Sequence, residues 1–159
     1  MKTILTTALL MAALLTYGNE GISLNCYTGG FAYNKLEIKE ANQYLDFKTE
    51  GIGLKVASAN LSENQLLTDV IFSIDRNLCQ FSQGNSETEI ICNTDRLNIK
   101  INYFDFKRQV EEVKEIELQY VSLLLKRVSF DYTGIKLLVL SSNGSDALAL
   151  SNGFKICQN

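Results

Sequence analysis

Apolar and polar residues alternate with a period of two along most of the chain, the pattern typical of half-buried β-strands. The alternation runs through residues 22–26, 35–39, 45–47, 52–56, 70–74, 97–103, 115–120 and 128–132. Turn residues interrupt it at short intervals, and there is no proline and no Gly/Ser-rich linker. We therefore predict one all-β domain of about eight to ten strands, an antiparallel sandwich or barrel.

Two segments have patterns that are also compatible with a helix. Asn60 followed by Glu63 has the form of a capping box and predicts one short helix starting at Asn60. Residues 107–132 combine approximate helical spacing with clean alternation around Ile116 and Leu118. We favour strands from Glu115 onward, with a helical turn as the alternative for residues 109–114.

Two Asn-Gly dipeptides near the C-terminus predict a three-stranded meander, because type I′ turns need positive φ at both central residues. The turns are Asn143-Gly144 and Asn152-Gly153. The strands would be Ile135–Ser142, Ser145–Ser151 and Phe154–Gln158. In this register Leu148 lies between Val139 and Cys157. Both faces of the meander are apolar, so we expect it to be covered on both sides or to form an interface.

The four cysteines predict two disulfides, Cys79–Cys92 and Cys26–Cys157. The first pair flanks a polar segment between apolar residues and would face each other across a hairpin with a four-residue loop, Gly84–Glu87. A two-residue turn at Gly84-Asn85 would instead place Ile90 opposite Cys79. The alternative, a four-cysteine metal site, is disfavoured because the spacings are wide and contain no CxxC pair.

The N-terminus has the layout of a secretory signal peptide. Lys2 precedes an uncharged stretch of about twelve residues, too short to span a bilayer. Small residues at Thr16 and Gly18 then form a cleavage site. We expect residues 1–18 to be removed and residues 19–159 to form a secreted or periplasmic β domain. All four cysteines would then lie where disulfides persist.

Composition excludes several classes of function. The chain has fifteen Lys and Arg residues against eighteen Asp and Glu and no cationic cluster, which argues against nucleic acid as a partner. No further apolar run is long enough to span a membrane. The chain has no histidine, which excludes His-dependent catalysis and His-based metal sites. We predict no cofactor and no metal.

Carboxylates remain as candidate acid–base groups. The acidic cluster Glu111, Glu112, Glu115 and Glu117 could supply the two carboxylates of a glycan hydrolase, with Glu115 and Glu117 on one strand face. A solvated strand face is the simpler interpretation. Ser141–Asp146 is rich in oxygen ligands for calcium, but the Asn-Gly turn explains the same residues.

Aromatic residues at Tyr103, Phe104 and Phe106 are the candidate partner contacts. On a strand, Phe104 and Phe106 share one face and Tyr103 takes the other. If only one face enters the core, the other exposes an aromatic anchor for a partner. Burial of both faces in a sandwich is the alternative.

These observations favour a non-catalytic secreted binding or interaction module, either inhibitor-like or associated with the cell envelope. Its partner would be a protein or a small apolar ligand, with a homodimer through the meander as one option. The alternative functions are a β-barrel carrier of a small apolar ligand and a His-free carboxylate glycan hydrolase.

Overall fold

The computed structural model describes residues 23–27, 34–51, 54–85, 87–129, 133–154 and 156–158. Its strands are β1 (Ser23–Tyr27), β2 (Asn34–Ala41), β3 (Tyr44–Gly51), β4 (Gln65–Asp75), β5 (Cys79–Gln83), β6 (Glu87–Asp105), β7 (Val110–Ser129), β8 (Thr133–Ser142), β9 (Ser145–Phe154) and β10 (Ile156–Gln158). Two 3₁₀ turns, Ala57–Ala59 and Arg76–Leu78, lie between them.

The strands form one antiparallel sheet in the order β10-β1-β2-β3-β4-β6-β7-β8-β9, with β5 beside β6. The all-β prediction is confirmed. β9 and β10 stand at opposite ends of this order, although only Lys155 separates them in sequence. In addition, β9 contacts β1 and β2.

The alternating apolar residues meet on one buried face because their register partners share that face. One row of partners is Cys26, Leu36, Thr49, Val70 and Ile101, which run from β1 to β6. All five are buried. A second row joins β6 to β9 through Cys92, Leu123, Leu140 and Leu148. Apart from the buried polar Thr49, the two rows belong to one hydrophobic core.

The ribbon of β6 and β7 changes its buried face midway along its length. Leu97 and Leu118 are buried register partners on the side of this point nearer the β6–β7 turn. Cys92 and Leu123 are buried register partners on the side farther from that turn. The odd spacing between the buried positions means that the alternation shifts by one residue on each strand. Asp95 and Tyr120 lie at the shift, outside the paired register.

The Cys79–Cys92 prediction is confirmed. The two residues are register partners, their sulfurs are bonded, and their α-carbons lie 4.0 Å apart. Gln83 pairs with Thr88, which leaves the four-residue loop that a direct Cys79–Cys92 pairing requires.

The residues of the second predicted cysteine pair are neighbours in the sheet. Cys26 of β1 is the Cα partner of Cys157 of β10. The Cys157 side chain lies outside the described side chains. The Cys26–Cys157 bond therefore stays a prediction.

Of the predicted C-terminal meander, the first hairpin is confirmed, whereas its register and the second hairpin are wrong. Asn143 and Gly144 have φ of 53° and 78° and join β8 to β9. A register shift beyond Ser141 then places Leu148 opposite Leu140 instead of Val139. Asn152-Gly153 makes no hairpin, because β9 continues to Phe154 and β10 pairs with β1.

The two helical alternatives are wrong. Asn60 has φ of 50° and follows the 3₁₀ turn Ala57–Ala59, so it ends a helical turn rather than starting a helix. Residues 110–129 form one strand, in agreement with the favoured prediction from Glu115 onward.

The predicted signal peptide, residues 1–18, lies outside the described residues. Within the part of the chain that is described, no helix is long and apolar enough to cross a membrane.

Candidate functional site

The hairpin that joins β6 to β7 ends in a turn held by Asp105. Its Oδ1 accepts hydrogen bonds from the backbone N–H groups of Lys107 and Arg108, both at 3.0 Å. Its Oδ2 accepts hydrogen bonds from the Arg108 Nε at 3.3 Å and the Gln65 Nε2 at 3.4 Å. The backbone N–H of Arg108 is the main cause of the lowered pKa of Asp105. The carboxylate therefore fixes the turn in its ionised form.

On the buried face of the hairpin next to this turn, further polar side chains form hydrogen bonds and ion pairs. The Tyr103 hydroxyl donates to the Glu112 Oε2 at 2.6 Å, which raises the pKa of Tyr103. Arg108 forms ion pairs with both Glu112 and Asp105. Lys114 donates from Nζ to the backbone oxygen of Ala59 at 2.8 Å and so attaches the β3–β4 connection to β7. These contacts make the hairpin end a fixed platform.

Apolar side chains cluster on the opposite face at the end of the same hairpin. The rings of Phe104 and Phe106 pack edge to face with centroids 4.9 Å apart. Leu66 is the register partner of Phe104, and Val113 lies diagonally from it on the same face. Leu66, Phe106 and Val113 are 45%, 51% and 56% exposed. We call Leu66, Phe104, Phe106 and Val113 the tip patch.

The structure separates the three predicted contact residues as their alternation required. Phe104 and Phe106 lie in the tip patch, whereas Tyr103 lies on the buried face and bonds Glu112. Sequence reasoning missed Leu66 and Val113, because their place in the patch depends on the pairing of β4 and β7 with β6. A period-two pattern within one strand contains no information on that pairing.

An acidic groove of about 540 Å³ borders the patch through Val113. Four acidic residues line it: Glu50, Asp69 and Glu111 on the exposed face, and Glu112, whose carboxylate bonds Tyr103 on the other face. Glu50 is paired with Lys48 at 2.9 Å and Glu112 with Arg108, so an excess of negative charge remains.

The carboxylates suggested for hydrolysis do not converge. Glu115 and Glu117 lie on the exposed face of β7, opposite Lys100 and Asn98. Glu112 is on the other face and is bonded to Tyr103. Among the described residues, no three of the Asp, Glu and Cys side chains are grouped closely enough to hold a metal ion.

The suggested calcium loop forms a tight turn. Asn143 and Gly144 take the positive φ values that a type I′ turn needs. The Ser141 hydroxyl contacts the Asp146 Oδ1 at 3.3 Å, so the one carboxylate of the loop already has a partner within it.

Comparison of the chain with protein families, with curated proteins and with solved structures found no match. The tip patch, the acidic groove and the fold that positions them are therefore the features from which a function can be inferred.

Proposed function

We propose that this protein is a non-catalytic, exported binding module that contacts a protein partner through the tip patch. The observation that carries the proposal is the edge-to-face Phe104–Phe106 pair, in which Phe106 is exposed, together with the exposed Leu66 and Val113. Contiguous apolar side chains on a surface mark interaction sites more often than isolated ones do. Aromatic anchors also dominate the binding energy of protein interfaces.

The platform beneath the patch supports this role. The Asp105 carboxylate and the Tyr103–Glu112 hydrogen bond hold the hairpin end in one conformation. A contact surface that is already ordered loses little conformational entropy when it binds.

The acidic groove defines the chemistry of the partner. The carboxylates of Glu50, Asp69 and Glu111 line the groove beside Val113, and among the described ion pairs Lys48 compensates for the charge of Glu50. The complementary surface has apolar side chains for the tip patch and Lys or Arg side chains next to them. Opposite charges at an interface accelerate association and select the partner.

Export is the second part of the proposal. It rests on the signal-like residues 1–18 and on the Cys79–Cys92 disulfide, since such bonds persist mainly outside the cytosol. The pairing of Cys26 with Cys157 in the sheet supports a second disulfide, which would join β1 to β10.

We also propose that the sheet is closed into a barrel. β9 pairs with β8 and β10 pairs with β1, so a single continuous segment of chain borders both ends of the strand order. Lys114 of β7 also reaches Ala59 in the β3–β4 connection. Closure would remove exposed sheet edges, which are sites of aggregation in open sheets.

A carrier of apolar ligands is a weaker alternative, because it needs an open interior. Phe47 and Phe72 stack with centroids 4.8 Å apart inside the core. The described core side chains form one packed cluster around them. A hydrolase is also disfavoured, since Glu115 and Glu117 face away from the core on an open strand surface.

The test is affinity capture of the partner from the compartment that contains the protein, with three forms of the bait. The wild type should recover a saturable protein partner, and Phe106→Ser should weaken binding about tenfold or more, as expected for an aromatic anchor. Tyr44→Ser is the matched control. Tyr44 is a 48% exposed aromatic residue of β3, and it pairs with Asp75 at the end of β4 that lies away from the tip patch.

Equal binding by the wild type and Phe106→Ser would exclude the tip patch as the contact surface. A raised salt concentration should slow association if the acidic groove contributes. An association rate independent of salt would restrict the contact to the apolar patch.

A further inference from the structure

A second surface feature lies where the β6–β7 ribbon changes its buried face. An open groove of about 710 Å³ runs across this point, lined by Leu78, Asn93, Asp95, Arg96, Tyr120 and Ser122 among others. About ten residues of β6 separate it from the tip patch, a distance of roughly 30 Å along the strand. The groove is thus independent of the surface proposed above.

Tyr120 occupies a backbone position that does not suit it. Its φ is 49°, in the left-handed region that Gly and Asn adopt most easily. The position requires this conformation, because here the alternation of β7 shifts between the buried Leu118 and the buried Val121. A tyrosine at such a site is less favourable for folding than Gly or Asn would be.

Backbone contacts hold the strained conformation. The Ser142 hydroxyl donates to the Gln119 carbonyl at 2.8 Å. The backbone N–H of Asn143 contacts the Gln119 and Tyr120 carbonyls at 3.2 and 3.3 Å. Surrounding structure of this kind is what allows unfavourable backbone geometry to persist. None of these contacts uses the Tyr120 ring.

The ring itself contributes little to packing, since Tyr120 is 71% exposed. A large aromatic ring kept in solvent at an unfavourable backbone position favours a contact outside the chain. A tyrosine ring gives a large, rigid surface for such a contact at low entropic cost.

The groups around the ring define the class of ligand. Asn93 and Ser122 offer both hydrogen-bond donors and acceptors, Asp95 offers acceptors and Arg96 offers donors. The single positive and single negative charge balance, which disfavours a strongly charged ligand. Leu78, Val121 and the Tyr120 ring form the apolar part of the lining, and the other five lining residues are polar, which disfavours a lipid.

We propose that this groove binds a neutral oligosaccharide, with one sugar ring stacked on Tyr120 and its hydroxyl groups hydrogen-bonded to Asp95 and Arg96. The apolar face of a pyranose ring fits an aromatic ring. Its hydroxyl groups each need a donor and an acceptor nearby, as the groove provides. The open shape admits a chain longer than one sugar.

The experiment uses the exported chain on an array of neutral, sialylated and sulfated glycans. It is followed by calorimetric titration with the neutral hexasaccharide that binds most strongly. Tyr120→Asn should weaken binding about tenfold or more, while its melting temperature stays equal to or rises above that of the wild type. Phe106→Ser is the matched control and should bind the hexasaccharide as the wild type does.

Four results would overturn the proposal. They are binding to no neutral glycan, binding to charged glycans alone, unchanged affinity in Tyr120→Asn, and a lowered melting temperature in that variant. The last would show that the ring stabilises the fold and is not kept for a ligand. Failure of the tip patch is recognised separately, because it is measured by the effect of Phe106→Ser on protein capture.

Discussion

Removing the Cys79–Cys92 disulfide tests how the hairpin of β5 and β6 is stabilised. The change is the double variant Cys79→Ala/Cys92→Ala. The bond closes a loop between residues 13 apart in sequence. In the chain-entropy model, a loop of this length contributes about 3 kcal/mol to the free energy of unfolding. Cys92 is buried, so loss of its sulfur adds a smaller packing term.

The loss should be concentrated in β5, whose described pairing is with β6 alone. Urea unfolding of the wild type and the double variant gives the total change, and amide hydrogen exchange locates it. The amides of β5 should exchange faster, whereas those of β2 and β3 should change only by the global difference. A loss below about 1 kcal/mol, or equal acceleration across all strands, would refute this account of the hairpin.

Two further predictions concern the core and the β6–β7 turn. Phe72→Ala should lower the free energy of unfolding by about 3–5 kcal/mol, because it opens a cavity beside Phe47, and a loss below about 2 kcal/mol in urea unfolding would contradict this packing. Asp105 has a lowered pKa, so its stabilisation is complete above about pH 4 and is lost as the pH falls through the folded-state pKa. Asp105→Asn should therefore be less stable than the wild type at pH 7 and lose less on acidification; parallel stability curves between about pH 2 and 7 would contradict this role.

The strands and the first disulfide could be predicted from the sequence because their signals are local. The alternation of Leu97, Ile99 and Ile101 already fixes a strand face, and the structure buries all three. The separation of Cys79 and Cys92 also fixes the register of a hairpin once the bond is assumed, and the four-residue loop agrees.

The C-terminal pairing could not be predicted because a distant strand competes with a local turn. Asn152-Gly153 favours a hairpin, yet β9 runs through it and β10 pairs with β1. That pairing connects residues more than 120 positions apart, and local turn propensity contains no information on it. The register shift between Leu140 and Ser141 lies within the local β8–β9 hairpin, and the Asn-Gly turn does not by itself specify such an irregularity.

The tip patch, likewise, could be predicted from the sequence only in part. Phe104 and Phe106 are visible in the sequence as an aromatic pair on one side of a strand, but their neighbours Leu66 and Val113 come from other strands. Tyr120 was not singled out, because an unusual φ at a non-glycine residue leaves no mark in hydrophobic patterning.

The measurement that tests the binding role most directly is photo-cross-linking in the protein's own compartment, with a photoreactive amino acid placed at Phe106 or, as control, at Tyr44. The account predicts one dominant protein adduct from position 106 that is absent from position 44. It also predicts that an excess of wild-type protein suppresses this adduct. Equal adducts from both positions, or no adduct from position 106 under conditions where the partner is captured, would contradict the tip patch as the binding surface.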